Sequence, residues 1–231
     1  MKKTTLLSIL ASGALLFGTA IPTLAVAADS TANSNATVSF KQGNTGPTDP
    51  VDPEDPTEPG DGGGTENPGP LSIDYVSAFD FGDHDVPTKT ETYKAAGENG
   101  NADYVQITDQ RAGDPAGWTL SVAQDGQLKS STGDTLTGAA ISFGEGTVKT
   151  TSEDDPATVT SSTDGSALAT DGSSMTVMSA KAGNGFGTWL DVFGSADDST
   201  VKLTVPVSAH PDADSYSGTL NWTLNETPGN A

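Results

Sequence analysis

From Leu71 onward, short apolar runs repeat with a period of two, and no stretch sustains the i, i+3, i+4, i+7 spacing of a long amphipathic helix. "VKLTVPV" places Val201, Leu203, Val205 and Val207 on one face. "LNWTL" does the same for Leu220, Trp222 and Leu224, with Asn221 and Thr223 opposite. "WTLSV" aligns Trp118, Leu120 and Val122, with Thr119 and Ser121 opposite; "YVQIT" aligns Val105 with Ile107, and "AISF" aligns Ile141 with Phe143. "SMTVMS" fits neither face cleanly. Turn chemistry such as "DG", "TGD" and "GNG" separates these runs, as expected for half-buried strands. Pro206 falls on the outward side of its run, which predicts an edge strand or a bulge, because proline cannot donate to a ladder. Leu71–Ala231 spans 161 residues, enough for one core. The expected fold is all-β, a β-sandwich over residues 71–231.

Upstream of this domain the composition changes twice. Lys2 and Lys3, the apolar run Leu6 to Ala20 and the small residues of "AVAADS" read as a secretory signal peptide over residues 1–28, too short for a membrane span. Residues 29–70 read as a spacer. Gly43 to Pro70, "GNTGPTDPVDPEDPTEPGDGGGTENPGP", has Asp49, Asp52, Glu54, Asp55, Glu58, Asp61 and Glu66 and no basic residue. Fixed proline φ angles, like-charge repulsion and Gly62 to Gly64 predict an extended, disordered, acidic Pro-rich linker without a core. At about 3.1 Å per residue it reaches roughly 85 Å.

The formal charge is −21, and loss of the two leader lysines takes it to −23. The residues from Leu71 on hold 23 acids and 7 bases, a balance of −16. Nucleic acid and anionic lipid demand basic patches, so neither is an expected partner, and no direct membrane insertion is expected. Anionic wall polymers repel such a chain too, so any attachment to a wall needs short-range contacts, divalent cations or a protein partner. This balance leans toward the protein partner. An exported chain without cysteine folds on its apolar core alone, and thiol nucleophiles and thiolate metal sites are excluded.

Catalytic patterns are missing. "FGDHDV" and "HPDADS" place Asp83 and Asp85 around His84, and Asp212 and Asp214 after His210. Such sets suit Ca²⁺ or a transition metal, but no EF-hand spacing occurs, and solvated loop charge is the expected reading. Neither a G-x-S-x-G elbow nor a nucleotide-binding motif is present. No cofactor and no enzymatic activity are expected; a secreted hydrolase acting on an envelope polymer is the alternative.

Two of the three tryptophans sit in the same triplet, Trp118-Thr119-Leu120 and Trp222-Thr223-Leu224. Within each, Trp and Leu share a face and Thr points away. We expect both triplets to be core staples in facing or neighbouring strands, each buried indole finding a partner for its N–H. The competing reading lines a glycan or peptide groove with them. In "TWLDVF", Leu190 and Val192 share one face, and Trp189, Asp191 and Phe193 the other. With the first pair inward, Trp189 and Phe193 form an exposed aromatic platform beside the glycine-rich "AGNGFG"; with the faces exchanged, Trp189 is buried.

These stretches, in this order, resemble the WxL-domain surface proteins of low-GC Gram-positive bacteria in their small, single-domain form. "LSIDYVSAFDFG" is similar to the family's opening strand, "YVQITDQRAGDPAGWTLSV" carries the first motif, and "AGNGFGTWLDVFG" is similar to its central segment. The distal motif is Tyr216, Leu220, Trp222, Leu224 and Pro228. The resemblance implies non-covalent association with the cell surface, attributed to peptidoglycan or cell-wall glycan, and complexes with a membrane-anchored surface protein. It implies no catalysis. The terminal "ETPGNA" offers no LPxTG-like motif, apolar tail or basic tip, so attachment is expected to be non-covalent, with the chain secreted and wall-associated. A host extracellular-matrix protein is a further expected partner at such a surface.

Overall fold

The structure, a computed structural model, describes residues 30–43, 45–60 and 62–226. The expected leader and Pro228 lie outside the described residues. The chain divides into two units, Met1–Ser39 and Phe40–Ala231. In the first, residues 30–39 are exposed and carry no regular element.

The second unit is a β-sandwich of antiparallel strands. In chain order these are β1 (Leu71–Val76), β2 (Glu91–Lys94), β3 (Tyr104–Asp109), β4 (Trp118–Gln124), β5 (Lys129–Ser130), β6 (Ala140–Phe143), β7 (Thr147–Thr150) and β8 (Val159–Ser161). There follow β9 (Ser174–Ala180), β10 (Gly187–Val192), β11 (Gly194–Ser195), β12 (Asp198–Ser199), β13 (Val201–Val205), β14 (Tyr216–Ser217) and β15 (Leu220–Glu226). They form sheets in the orders β1–β3–β10–β7, β2–β13–β6 and β15–β4–β9–β8, with small ribbons β11–β12 and β14–β5. Among the described residues no helix is long and apolar enough to cross a membrane.

Alternation sets the core. Val105 and Ile107 of β3, Trp118, Leu120 and Val122 of β4, Ile141 and Phe143 of β6, and Val201, Leu203 and Val205 of β13 all enter one cluster shared by the three large sheets. Burial of each large side chain stabilises the fold by about 1.5–3 kcal/mol.

Two bulges account for irregular patterning. In β9 the register against β4 skips Val177, so that Val177 and Met178, adjacent in sequence, are both buried. That is why "SMTVMS" matches no simple alternation. In β1 the extra residue is Asp74, which turns inward to 2% exposure.

Pro206 is a correction. β13 is the central strand of its sheet, between β2 and β6. Pro206 lies just past its end, where no ladder donor is needed, and Val207 leaves the face into a short 3-10 turn at 41% exposure.

Part of the acidic Pro-rich segment lies against the outer side of the β1–β3–β10–β7 sheet. Asp52 N–H donates to Glu58 O and Gly60 N–H to Pro50 O, which folds Asp49–Gly60 into a small hairpin, and Pro50 and Pro53 are buried. Its apolar residue, Val51, packs on a second cluster of Tyr75, Ala102, Tyr104, Leu190 and Val192.

Candidate functional site

The two Trp-Thr-Leu triplets occupy neighbouring strands of one sheet. β15 runs antiparallel to β4, with Leu224 opposite Leu120, Trp222 opposite Val122 and Leu220 opposite Gln124. Trp118, Leu120 and Val122 are fully buried; Leu220, Trp222 and Leu224 are half-buried and pack on the same cluster. The difference has a topological cause: β4 is internal to its sheet and β15 is at its edge.

Each indole is fixed differently. Trp118 Nε1–H donates to Gly185 O at 2.9 Å. Gly185 has φ +81°, and a Cβ there would stand 2.6 Å from Trp118 Nε1 and 2.4 Å from Ala180 Cβ. The glycine-rich segment therefore closes over a tryptophan. Trp222 meets Phe143 edge-to-face, with centroids 5.9 Å apart at 87°.

The end of the distal motif is clamped by the chain's single arginine. Arg111 binds Asp109 with two hydrogen bonds, 2.9 Å from Nε and 2.7 Å from Nη2, and Nη2 also donates to Gly117 O. Its Nη1 forms an ion pair at 3.1 Å with Glu226, the last residue of β15. The start of β4 and the end of β15 are thus tied to β3 through one guanidinium.

The middle residues of both triplets face outward. Across the sheet, Asn225, Thr119, Ser179 and Thr160 form one row. Thr223, Ser121 and Thr176 form the next, and Asn221, Ala123 and Ser174 a third. These positions are exposed or half-buried, and none carries a charge. In a chain of net charge −21, this is an uncharged field of hydroxyls and amides broken only by Ala123, able both to donate and to accept hydrogen bonds.

The aromatic platform at β10 is absent, because both faces of that strand are covered. Trp189 and Phe193 are fully buried in the main core, with Trp189 Nε1–H donating to Phe186 O at 3.0 Å. On the other face Leu190 and Val192 are buried under the hairpin of residues 49–60. The sequence held the signal: a strand apolar on both faces is covered on both faces. The exposed aromatic of the segment is Phe186, which lines a cavity of about 590 Å³ with Phe40 and Arg111.

Tyr216 lies in β14, half-buried, and its hydroxyl accepts from Asp212 N–H at 3.0 Å. It borders a cavity of about 830 Å³ that gathers Asp83, His84 and Asp85 with Asp212 and Asp214. His84 stacks on Tyr93 at 3.9 Å. Among the described residues no group of three or more His, Cys, Asp or Glu side chains is arranged to hold a metal ion.

Four carboxyls that the sequence does not single out are buried: Asp109, held by Arg111, and Asp74, Asp103 and Asp191. Asp74 accepts from Ser72 and Thr108 hydroxyls, each at 2.6 Å, and from Gln106 Nε2 at 3.0 Å; burial raises its pKa and these bonds oppose the rise. Asp103 accepts from Ser199 Oγ at 3.0 Å, and burial pushes it up to about 6. Asp191 of β10 accepts from Ser161 Oγ of β8 at 2.9 Å, while its Oδ1 has no partner; burial pushes it up to about 7.

Residues 27–228 match the family model described as WxL domain surface cell wall-binding. No curated protein and no solved structure matches the chain.

Proposed function

This chain belongs to the WxL family of surface cell-wall-binding domains, and from that premise we propose that it is held at the cell surface by direct, uncharged contact between its β15–β4 face and neutral wall glycan. The observation that carries the reading is the composition of that face. The Trp and Leu of each motif build the sheet, and Thr119 and Thr223 project from it beside Ser121, Asn221 and Asn225. Glycan hydroxyl and N-acetyl groups are neutral donors and acceptors, and rows of uncharged hydroxyls and amides complement them. Elsewhere the acidic surface keeps the chain off anionic polymers.

The test is retention of the purified full chain on isolated sacculi. Neither EDTA nor high salt is expected to release it, because the contact is neither metal-bridged nor ionic. The double substitution Ser121→Lys, Thr223→Glu places opposite charges on residues that face each other in register. It is expected to spare folding and reduce retention about tenfold, the loss of roughly 1.4 kcal/mol of contact energy. Full retention by that variant, or release of the native chain by salt, refutes the reading.

A second reading rests on β15 itself. Among the described residues it pairs with β4 alone, leaving its other edge open. A strand from a membrane-anchored surface protein fits such an edge. In that case the purified chain fails to bind sacculi and forms a stable complex with the partner.

A further inference from the structure

The cavity of about 830 Å³ lies where β2 and β13 meet the loops that precede β2 and β14. Its floor is apolar. Leu128, Leu136, Leu203 and Val205 line it from the main core, each 4–7% exposed, whereas Leu120 of the same cluster is at 0%. Tyr93 and Tyr216, both half-buried, add phenol rings to the lining.

The exposed margin is acidic. Asp80, Asp83, Asp85, Asp212 and Asp214 border the cavity, and neither lysine nor arginine does. Among the described residues none of the five is in an ion pair. Both loops are held in place. His84 Nε2 lies 2.6 Å from Phe81 O while its ring stacks on Tyr93, and Gly82 N–H donates to Asp80 Oδ1 at 2.8 Å. Across the cavity, Asp212 N–H donates to the Tyr216 hydroxyl at 3.0 Å and Ser131 Oγ to Asp214 Oδ2 at 3.2 Å. A ligand therefore meets a preformed surface, which keeps the ordering cost of binding low.

Floor and margin together set what fits. Acids around a cleft with apolar walls focus a negative field into it. That field repels polyanions and a second copy of this chain, of charge −21. A neutral glycan gains nothing from it. A lone metal ion or small ammonium group leaves the four apolar side chains uncovered, in a space large enough for a drug-sized ligand. Arginine and lysine join a cation to an aliphatic stem, and the arginine head also stacks on phenol rings.

We propose that this cavity docks a segment of a partner protein in which basic and aliphatic residues are interleaved. The aliphatic side chains lie on Leu128, Leu136, Leu203 and Val205, and the cationic heads reach the aspartate margin. Tyr216 then serves a docking surface, while Leu220, Trp222 and Leu224 of the same motif build the sheet. The inference is independent of what the β15–β4 face binds.

The experiment is calorimetric titration of the full chain with a blocked tetrapeptide alternating leucine and arginine. Binding is expected with a dissociation constant on the order of 0.1 mM, weakening about tenfold between about 50 mM and about 500 mM salt. A serine-arginine counterpart is expected to bind about tenfold more weakly for want of apolar contact, and a leucine-glutamate counterpart not at all. Asp85→Asn with Asp212→Asn, at two exposed loop positions, is expected to weaken binding about tenfold with near-UV circular dichroism unchanged. Glu153→Gln with Asp154→Asn removes the same charge at exposed positions outside the cavity and is expected to leave binding unchanged. Failure of the leucine-arginine peptide to bind, equal binding of the serine-arginine peptide, or equal losses in the two double variants overturns the proposal. Displacement of the peptide by about 1 mM Ca²⁺ does so too, because it makes the margin a metal site.

Discussion

Replacing Asp191 with Asn is expected to flatten the pH dependence of stability. Asp191 is fully buried, with one oxygen on Ser161 and the other unpartnered. Burial raises its pKa from 3.8 to about 7. A carboxyl with a raised folded pKa holds its proton more tightly in the folded state. Its contribution to stability is fully present below pH 3.8 and is lost as pH rises through about 7. Integrated from pH 5 to pH 8, the loss is about 3 kcal/mol. At about 2–4 °C per kcal/mol for a domain of this size, that lowers the melting temperature by roughly 6–12 °C. Asp103, raised to about 6, adds a smaller fall of the same sign, on the order of 1 kcal/mol. Calorimetric melting of native and Asp191→Asn chains at pH 5, 6, 7 and 8 reads both. The native chain is expected to lose stability steadily, and the variant to keep only the shallower slope of Asp103. Because Asn leaves Ser161 a partner but brings an unpaired amide, the slope is the diagnostic and the absolute melting temperature is not. Parallel slopes in the two proteins would refute the assignment of a buried proton to Asp191.

Three further outcomes follow from the packing. Gly185→Ala, at φ +81° with Trp118 Nε1 in the way, is expected to cost about 2–4 kcal/mol in urea unfolding, through backbone strain and the lost indole bond. Arg111→Ala leaves Asp109, 1% exposed, without its counterion and is expected to cost about 3–5 kcal/mol, with Arg111→Lys milder; equal thermal shifts for the two would argue against the two-point grip. Trp118→Ala, at a fully buried site, is expected to cost about 3–5 kcal/mol, and Trp222→Ala at the sheet edge less. If Trp222→Ala abolished sacculus retention while melting stayed native, Trp222 would be a ligand contact and the core reading of the distal motif would fail.

Alternation made the strands legible because it is local: each inward residue announces itself two positions from the next. Trp118, Leu120 and Val122 were placed correctly for that reason, and so was the outward turn of Thr119 and Thr223. The aromatic platform at Trp189 and Phe193 failed because alternation distinguishes two faces but does not count the layers beyond them. "TWLDVF" is apolar on both sides, and the second cover is supplied by Val51, a single apolar residue in a segment whose composition reads as solvent-exposed. Pro206 failed by one position, since a proline just outside a central strand has the same neighbours in sequence as one on an edge.

The sequence by itself determined an acidic, cysteine-free, strand-built chain with two matching motifs whose Trp and Leu point inward. The tertiary structure decided that the motifs lie side by side, that their middle residues combine into one uncharged face, and that Arg111 ties them to β3. It also decided that Asp74, Asp103 and Asp191 are buried among so many exposed acids. Composition and period act over a few residues, whereas register, coverage and desolvation are set by partners far along the chain. Gln106 and Val51 are 55 residues apart, and nothing local to either one says that they meet.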